Sequence, residues 1–336
     1  MIALLLPWIQ FAACAVAIGF AGSALTRYGE EFAELTGLSR SWVGIIMLAT
    51  ATSLPELFTG LSAITLADAP NIALGDALGS CILNLVLLVL LDGLSRGEPV
   101  YSRINQGHVM TAGFGVILIG MVGVLIIVIR EPFNIMIFHV SAFTPLIVLV
   151  YLFAMRATFV RERRDAPLPT TDTFPSTGHD LRKVVRRYLM AAAVVALAGG
   201  YLPFVGMQIA EQTGWETSFV GTLFIAAATS LPELVVVMAA LRRNAVDMAI
   251  ASLLGSNLFD ILVIAIDDIA YTKGFLLADV SPVHAASAFA GVIMSGIFIV
   301  ALLYRPRNRI LGAVSWISLA LLAVYLFVSY FLYLYG

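Results

Sequence analysis

Ten apolar runs follow one another along the chain, at approximately 3–26, 42–66, 70–92, 109–130, 134–156, 187–210, 218–241, 246–269, 283–304 and 311–335. Each approaches the roughly 20 residues that an α-helix needs to cross a bilayer. Short polar turns separate them, with one exception. Residues 157–186, within "RATFVRERRDAPLPTTDTFPSTGHDLRKVVRR", are polar, proline-bearing and basic, and divide the runs into two groups of five. The pattern predicts an all-α integral membrane protein of ten transmembrane helices. A five-helix unit covers 1–156, a linker loop 157–186, and a second five-helix unit 187–336.

Composition agrees. The chain is 60% hydrophobic and 12% charged, where soluble domains carry about 25% charged residues. The first run, "MIALLLPWIQFAACAVAIGF", lacks the basic stretch of a secretory leader and is expected to stay as the first helix. Cys14 and Cys81 both fall in apolar runs, which argues against a disulfide framework. The basic residues then orient the spans. Of the 19 Lys and Arg residues, 17 fall in the loops after runs 1, 3, 5, 7 and 9, and only Arg130 and Lys273 lie on the other side. By the positive-inside rule the linker is cytoplasmic and both termini are extracytoplasmic. The expected surroundings are the lipid bilayer of the cell membrane, with no nucleic-acid partner.

The two halves repeat. "VGIIMLATATSLPEL" at 43–57 aligns with "VGTLFIAAATSLPEL" at 220–234 at an offset of 177, and "GSCILN" at 79–84 with "GSNLFD" at 255–260 at an offset of 176. The repeated regions are 43–92 and 220–269. An odd number of spans separates equivalent positions, so the halves run through the membrane in opposite senses. Inverted repeats of this kind place a substrate site at the repeat interface near the bilayer midplane.

The repeated motif is built for an opening. Pro55 and Pro232 each lack an N–H, and their rings clash with the carbonyl four residues back, near Ala51 and Ala228. Backbone freed in hydrocarbon persists only where it is buried or lines a polar cavity. Thr52, Ser53 and Glu56 gather at the first break, and Thr229, Ser230 and Glu233 at the second. Ser80 and Asn84 share one helical face, as do Ser256 and Asp260. Meeting in the membrane, these groups would bring Glu56, Glu233 and Asp260 together with the neutral oxygen of Asn84. Three carboxylates in a low dielectric repel one another, a conflict that a divalent ion or several monovalent ones would remove. Hard oxygens suit Ca²⁺ and Na⁺.

Other positions read more plainly. Gly79 and Gly255 are expected to let helices approach, and Ser80 or Ser256 alone would read as a helix-packing hydroxyl. Mid-span Glu56 and Glu233, repeated with their context, read as functional. Asp92, Asp267 and Asp268 stand at span ends and are expected at the interface. Glu30, Glu31 and Glu34 are expected on the solvated face of a cytoplasmic amphipathic connection, and Cys81 as a small packing residue that faces near the site. The four histidines lack metal-ligand spacing.

"TSLPEL" paired with "GS…N", then "TSLPEL" with "GSNLFD", resembles the two α-repeats of the cation/calcium exchanger superfamily, prokaryotic sodium/calcium exchanger branch. The resemblance implies a core of spans 2, 3, 7 and 8, with spans 1 and 6 as long tilted helices that slide across it. It implies as ion ligands Glu56, Asn84, Glu233 and Asp260, with Thr52, Ser53, Ser80, Thr229, Ser230 and Ser256, and backbone carbonyls near Ala49 and Ala226. It departs from the family's usual Gly at Ala51 and Ala228, from Asn at Cys81, and from "GN" at Gly75-Asp76 and Ala251-Ser252. The implied function is an antiporter that moves Ca²⁺ against Na⁺ by alternating access in a monomeric unit. The ions are substrates, and no cofactor is expected. A Ca²⁺/H⁺ or other divalent-cation exchanger is the alternative, since neighbouring carboxylates can also carry protons. K⁺ cotransport stays open, because Asp at position 260 also occurs in potassium-dependent relatives. An intramembrane enzyme is more distant: "ALGDALGS" lacks the first glycine of a GxGD pattern, and the chain has neither HExxH nor GxSxG.

Overall fold

In the computed structural model, residues 2–36, 48–95, 98–129, 136–137, 139–165, 181–243, 245–306, 308–310 and 314–336 are described. Arg40, Arg96, Arg130, Arg307 and the start of the second predicted span lie outside them. The elements are α1 (Ile2–Thr36), α2 (Ala49–Thr52), α3 (Leu54–Thr65), α4 (Pro70–Leu94), α5 (Val100–Arg103), α6 (His108–Val128), β1 (Met136–Ile137), β2 (Val140–Ser141) and α7 (Phe143–Asp165). The second half holds α8 (Leu181–Thr213), then α9 (Thr217–Phe219), which continues through a π-helical stretch, Val220–Ile225, into α10 (Ala226–Thr229). It ends with α11 (Leu231–Arg242), α12 (Val246–Ala270), α13 (Leu276–Asp279), α14 (His284–Tyr304) and α15 (Trp316–Tyr335).

Among the described residues eight helices are long and apolar enough to cross a membrane. One further pair, Thr217–Thr229 and Leu231–Arg242, is long and apolar enough only when taken together, and its two helices meet at 44°. α2 and α3 repeat that arrangement in the first half, joined at Ser53 as α10 and α11 are joined at Ser230. The protein is a multi-pass, almost wholly helical membrane protein. α4 and α12 are buried along most of their length, whereas α1, α7 and α15 turn leucine, phenylalanine and tyrosine side chains outward, as a lipid-facing helix must.

α1 and α8 are the longest helices and pack along each other, and α6 packs along α14. α1 runs past its predicted end at residue 26 to Thr36. Glu30 and Glu31 therefore belong to a helix rather than a connection, and Glu31 lies 3.9 Å from Arg27 one turn earlier. The stretch expected as a loop over 157–186 is helical at both ends, up to Asp165 and from Leu181, while 166–180 are not among the described residues. Its Arg, Glu, Lys and Leu residues are good helix formers, so polarity there ends the membrane span and not the helix. The fifth span also starts later than expected, at Phe143, because Met136–Ser141 pair as β1 and β2.

Asp92 and Asp268, expected at the interface, are buried and tie the two halves in parallel ways. Asp92 accepts from the backbone N–H of Val100 at 2.9 Å, and Asp268 from that of Leu276 at 2.9 Å, each eight residues on. The second oxygen of Asp92 accepts from Ser315 N–H at 2.8 Å and the Ser318 hydroxyl at 2.7 Å. That of Asp268 accepts from Ser141 N–H at 3.3 Å and the Thr144 hydroxyl at 2.5 Å. The two carboxylates close the ends of α4 and α12 onto the fifth helix of opposite halves. Arg309 adds hydrogen bonds to the carbonyls of Asp92, Ser95 and Glu98. Asp267 is buried as well.

Candidate functional site

The motif Ser-Leu-Pro-Glu works locally as a helix start. Ser53 and Ser230 stand at the caps, with ψ near 10°, and Pro55 and Pro232 occupy the opening turn, where a missing N–H leaves nothing unsatisfied. Glu56 and Glu233 follow in the first turn of α3 and α11, where the helix dipole favours a negative charge. Each break is a single residue, because Ser53 N–H still reaches Ala49 O at 3.0 Å and Ser230 N–H reaches Ala226 O at 3.0 Å. Thr52 and Thr229 hydroxyls also donate to those two carbonyls, both at 3.1 Å. The carbonyls of Ala49 and Ala226 thus stand at the breaks with two hydrogen bonds each.

The four core helices bring the two motifs together. Gly79 lets the carbonyl of Thr222 and the side chain of Ala226 close on α4; a methyl group there would stand 2.7 Å from the Ala226 Cβ. The Ser80 hydroxyl then donates to Glu56 Oε1 at 3.2 Å, and Ser256 to Glu233 Oε1 at 3.2 Å. Ser80 also lies 3.1 Å from Ser230 and 3.5 Å from Thr229, and Thr52 lies 3.1 Å from Ser256, so hydroxyls cross between the repeats. Asn84 donates to Asn257 Oδ1 at 2.9 Å, while Asn257 donates to the carbonyl of Cys81 at 3.2 Å. The Cys81 thiol, expected as a packing group facing near the site, lies 3.8 Å from Asp260 Oδ2. All of these residues are buried.

One residue escaped the sequence reading. Asp76, there only a departure from the family pattern, is buried and accepts from the Thr229 hydroxyl at 2.8 Å through Oδ1. It brings a fourth carboxylate beside Glu56, Glu233 and Asp260. Its signal was in the sequence: Asp76, Ser80 and Asn84 recur every four residues and so share one face of α4.

The free oxygens define what the site can do. Glu56 Oε2, Asp76 Oδ2, Asn84 Oδ1, Glu233 Oε2, Asp260 Oδ1 and Ser53 Oγ are buried without a hydrogen-bond partner. Each carboxylate is fixed by one oxygen and presents the other. The acids are spaced by hydroxyls: among the described residues no three His, Cys, Asp or Glu side chains stand close enough together to hold a metal alone. A cation here would be shared among carboxylate, amide and hydroxyl oxygens, the ligand types of hard ions.

The sequence model of the sodium/calcium exchanger protein family matches residues 6–160 and 187–334, both halves without most of the linker. The chain belongs to this family. It is 27% identical over 234 residues to an uncharacterized membrane protein of Methanocaldococcus jannaschii, covering 69% of this chain and 71% of that one. In fold it resembles the crystal structure of the H⁺/Ca²⁺ exchanger CAX, with a TM-score of 0.71 at 16% identity, over 99% of this chain and 89% of that chain. It also resembles the sodium-calcium exchanger NCX_Mj, with a TM-score of 0.61 at 21% identity, over 96% of this chain and 98% of that chain. Membership places the protein among cation-exchanging transporters.

Proposed function

We propose that this exchanger moves Ca²⁺ against Na⁺ across the cell membrane, through one site assembled from both repeats and opened alternately to each side. The observation that carries the reading is the site's mixed oxygen set. Four carboxylates supply charge for a divalent ion, while Thr52, Ser53, Ser80, Thr229, Ser230, Ser256 and Asn84 supply neutral oxygens. A proton needs only a carboxylate, whereas a sodium ion stripped of water needs several neutral oxygens around it. The proposed ligands are Glu56, Asn84, Glu233 and Asp260 with those hydroxyls, and the carbonyls of Ala49 and Ala226 complete the set when their threonines turn away. The linker lies in the cytoplasm and both termini outside, as the basic residues argue.

A proton counter-ion is the second reading. It is favoured by the fourth carboxylate, Asp76, and by the fold shared with an H⁺/Ca²⁺ exchanger. Proteoliposomes of the purified protein separate the two. With Na⁺, K⁺ and H⁺ gradients imposed one at a time, Ca²⁺ uptake driven by the Na⁺ gradient alone supports the proposal. Uptake driven by the H⁺ gradient alone replaces Na⁺ by H⁺, and downhill Ca²⁺ flux without any counter-ion overturns antiport.

A further inference from the structure

The two repeats differ in one respect that leads away from the central site. Gly60 stands one turn beyond Glu56 on α3, about 6 Å along the helix. Its lack of a side chain makes a notch, and the carboxylate of Asp267 fills it: a methyl group at Gly60 would stand 2.9 Å from both Cγ and Oδ1. Asp267 in turn lies two turns beyond Asp260 on the same face of α12, about 10 Å along it. Asp76 stands one turn before Ser80 on α4, the residue that meets Glu56, and its charge interacts with those of Glu56 and Asp267.

Both acids present an oxygen with no partner. Asp267 Oδ1 and Asp76 Oδ2 are buried without a hydrogen bond, and each residue is 1% exposed. Among the described residues neither forms an ion pair with a Lys or Arg. A buried carboxylate held in this way is expensive without a counter-charge. The opposite repeat does not share the arrangement. The positions equivalent to Gly60, Asp267 and Asp76 are Val237, Leu91 and Ser252, two apolar and one neutral. The helices therefore carry an acidic step on one side of the centre only, toward the face where α4 begins and α12 ends.

We propose that Asp76 and Asp267 form an outer position for a hard divalent cation, one turn beyond Glu56, on the route between the central site and that membrane face. It deepens the exchange reading and rests on it for the identity of the ion, Ca²⁺. In the proposed orientation the face is extracytoplasmic. The ion is held there by Asp76 Oδ2 and Asp267 Oδ1 before it passes inward to Glu56 and Asp260.

Equilibrium ⁴⁵Ca²⁺ binding to the purified full chain tests the position by itself. Glu56→Gln should disable the central site and leave weak residual binding. Adding Asp267→Asn should weaken that residue of binding by roughly tenfold, as expected for one charge-assisted contact. No residual binding in Glu56→Gln, or unchanged binding after the second substitution, overturns the proposal. Sided membrane vesicles give a second readout. Asp267→Asn alone should raise the half-saturating Ca²⁺ concentration about tenfold from the extracytoplasmic face and far less from the other. An equal rise on both faces, or none, marks a merely structural residue and overturns the position. If Asp267→Asn does not fold, Gly60→Ala, which fills the notch and displaces the Asp267 carboxylate without removing a charge, must give the same one-sided rise. Should the wild-type protein exchange no Ca²⁺ under any gradient, the antiport reading fails, and the binding comparison still decides the outer position.

Discussion

Gly22 of α1 packs against the ring of Pro232 so closely that no side chain fits between them. The same contact recurs 177 positions on: a methyl group at Gly199 of α8 would stand 3.1 Å from the carbonyl of Pro55 and 3.2 Å from the Thr59 hydroxyl. Thr59 itself donates to Gly199 O at 3.1 Å, and Ser62 donates to Gly200 O. Each long helix thus rests on the helix break of the opposite half through a glycine. Any sliding of α1 and α8 is felt first at the prolines that open the site.

Gly22→Ala is therefore expected to destabilise the folded protein by about 1–3 kcal/mol, the usual range for overpacking a close contact. Gly19→Ala is the control, since a methyl group there meets Leu231 at an ordinary 3.5 Å. Thermal denaturation of both variants in detergent checks this. Equal melting curves for the two would show that the contact on Pro232 is slack.

Glu56→Gln and Glu233→Gln should each reduce exchange by roughly a hundredfold or more, a change that takes only about 2.8 kcal/mol of lost ion stabilisation. The substitution keeps the volume and the serine contact of each residue while removing the charge next to its unpartnered oxygen. The protein should stay folded and in the membrane. Near-normal Ca²⁺ uptake by either variant would remove that glutamate from the ion's path.

Asp92→Asn should act on stability and hardly at all on ion preference. Its carboxylate accepts three hydrogen bonds from Val100, Ser315 and Ser318, and an amide nitrogen facing those donors leaves at least one unmatched. An unpaired buried donor costs about 1–3 kcal/mol. The variant should melt earlier, with the same half-saturating Ca²⁺ concentration per folded molecule. A changed ion preference at unchanged stability would move Asp92 from a structural clip to the transport path.

How much of this was legible in the sequence depended on distance along the chain. The breaks at Ser53 and Ser230 and the glutamates after them follow from four adjacent residues, so local chemistry announces them. Ser80 with Asn84, and Ser256 with Asp260, follow from helical spacing. The burial of Asp92 and Asp268 by protein at their helix ends is not legible locally, because their partners lie far off, Ser315 and Ser318 for one and Ser141 and Thr144 for the other. Nothing near Asp92 signals that a helix more than 200 residues away will bury it. Asp76 was lost differently. Compared with a family pattern it looked like a substitution, whereas its phase with Ser80 and Asn84 already put it on the site's face.

The asymmetry between Asn84 and Asp260, equivalent positions of the two repeats, yields the last prediction. Asn84 donates to Asn257 Oδ1 at 2.9 Å, and Asn257 is itself held in that orientation by donating to the carbonyl of Cys81 at 3.2 Å. Asn84→Asp removes the N–H that donates to Asn257 and sets a carboxylate oxygen against the Asn257 oxygen. Turning the Asn257 amide over relieves that clash but puts its oxygen against the Cys81 carbonyl. Either way one acceptor is left facing another, at about 1–3 kcal/mol. The variant should therefore melt earlier than wild type. It would also add a carboxylate to Glu56, Glu233 and Asp260 at the centre, so a monovalent counter-ion should neutralise the site less well and a divalent one relatively better. Ca²⁺ uptake measured against the Na⁺ gradient, with a melting curve on the same preparation, checks both expectations. Lower stability with an unchanged Na⁺ dependence would make Asn84 a strut for Asn257; a changed dependence places its free oxygen on the ion.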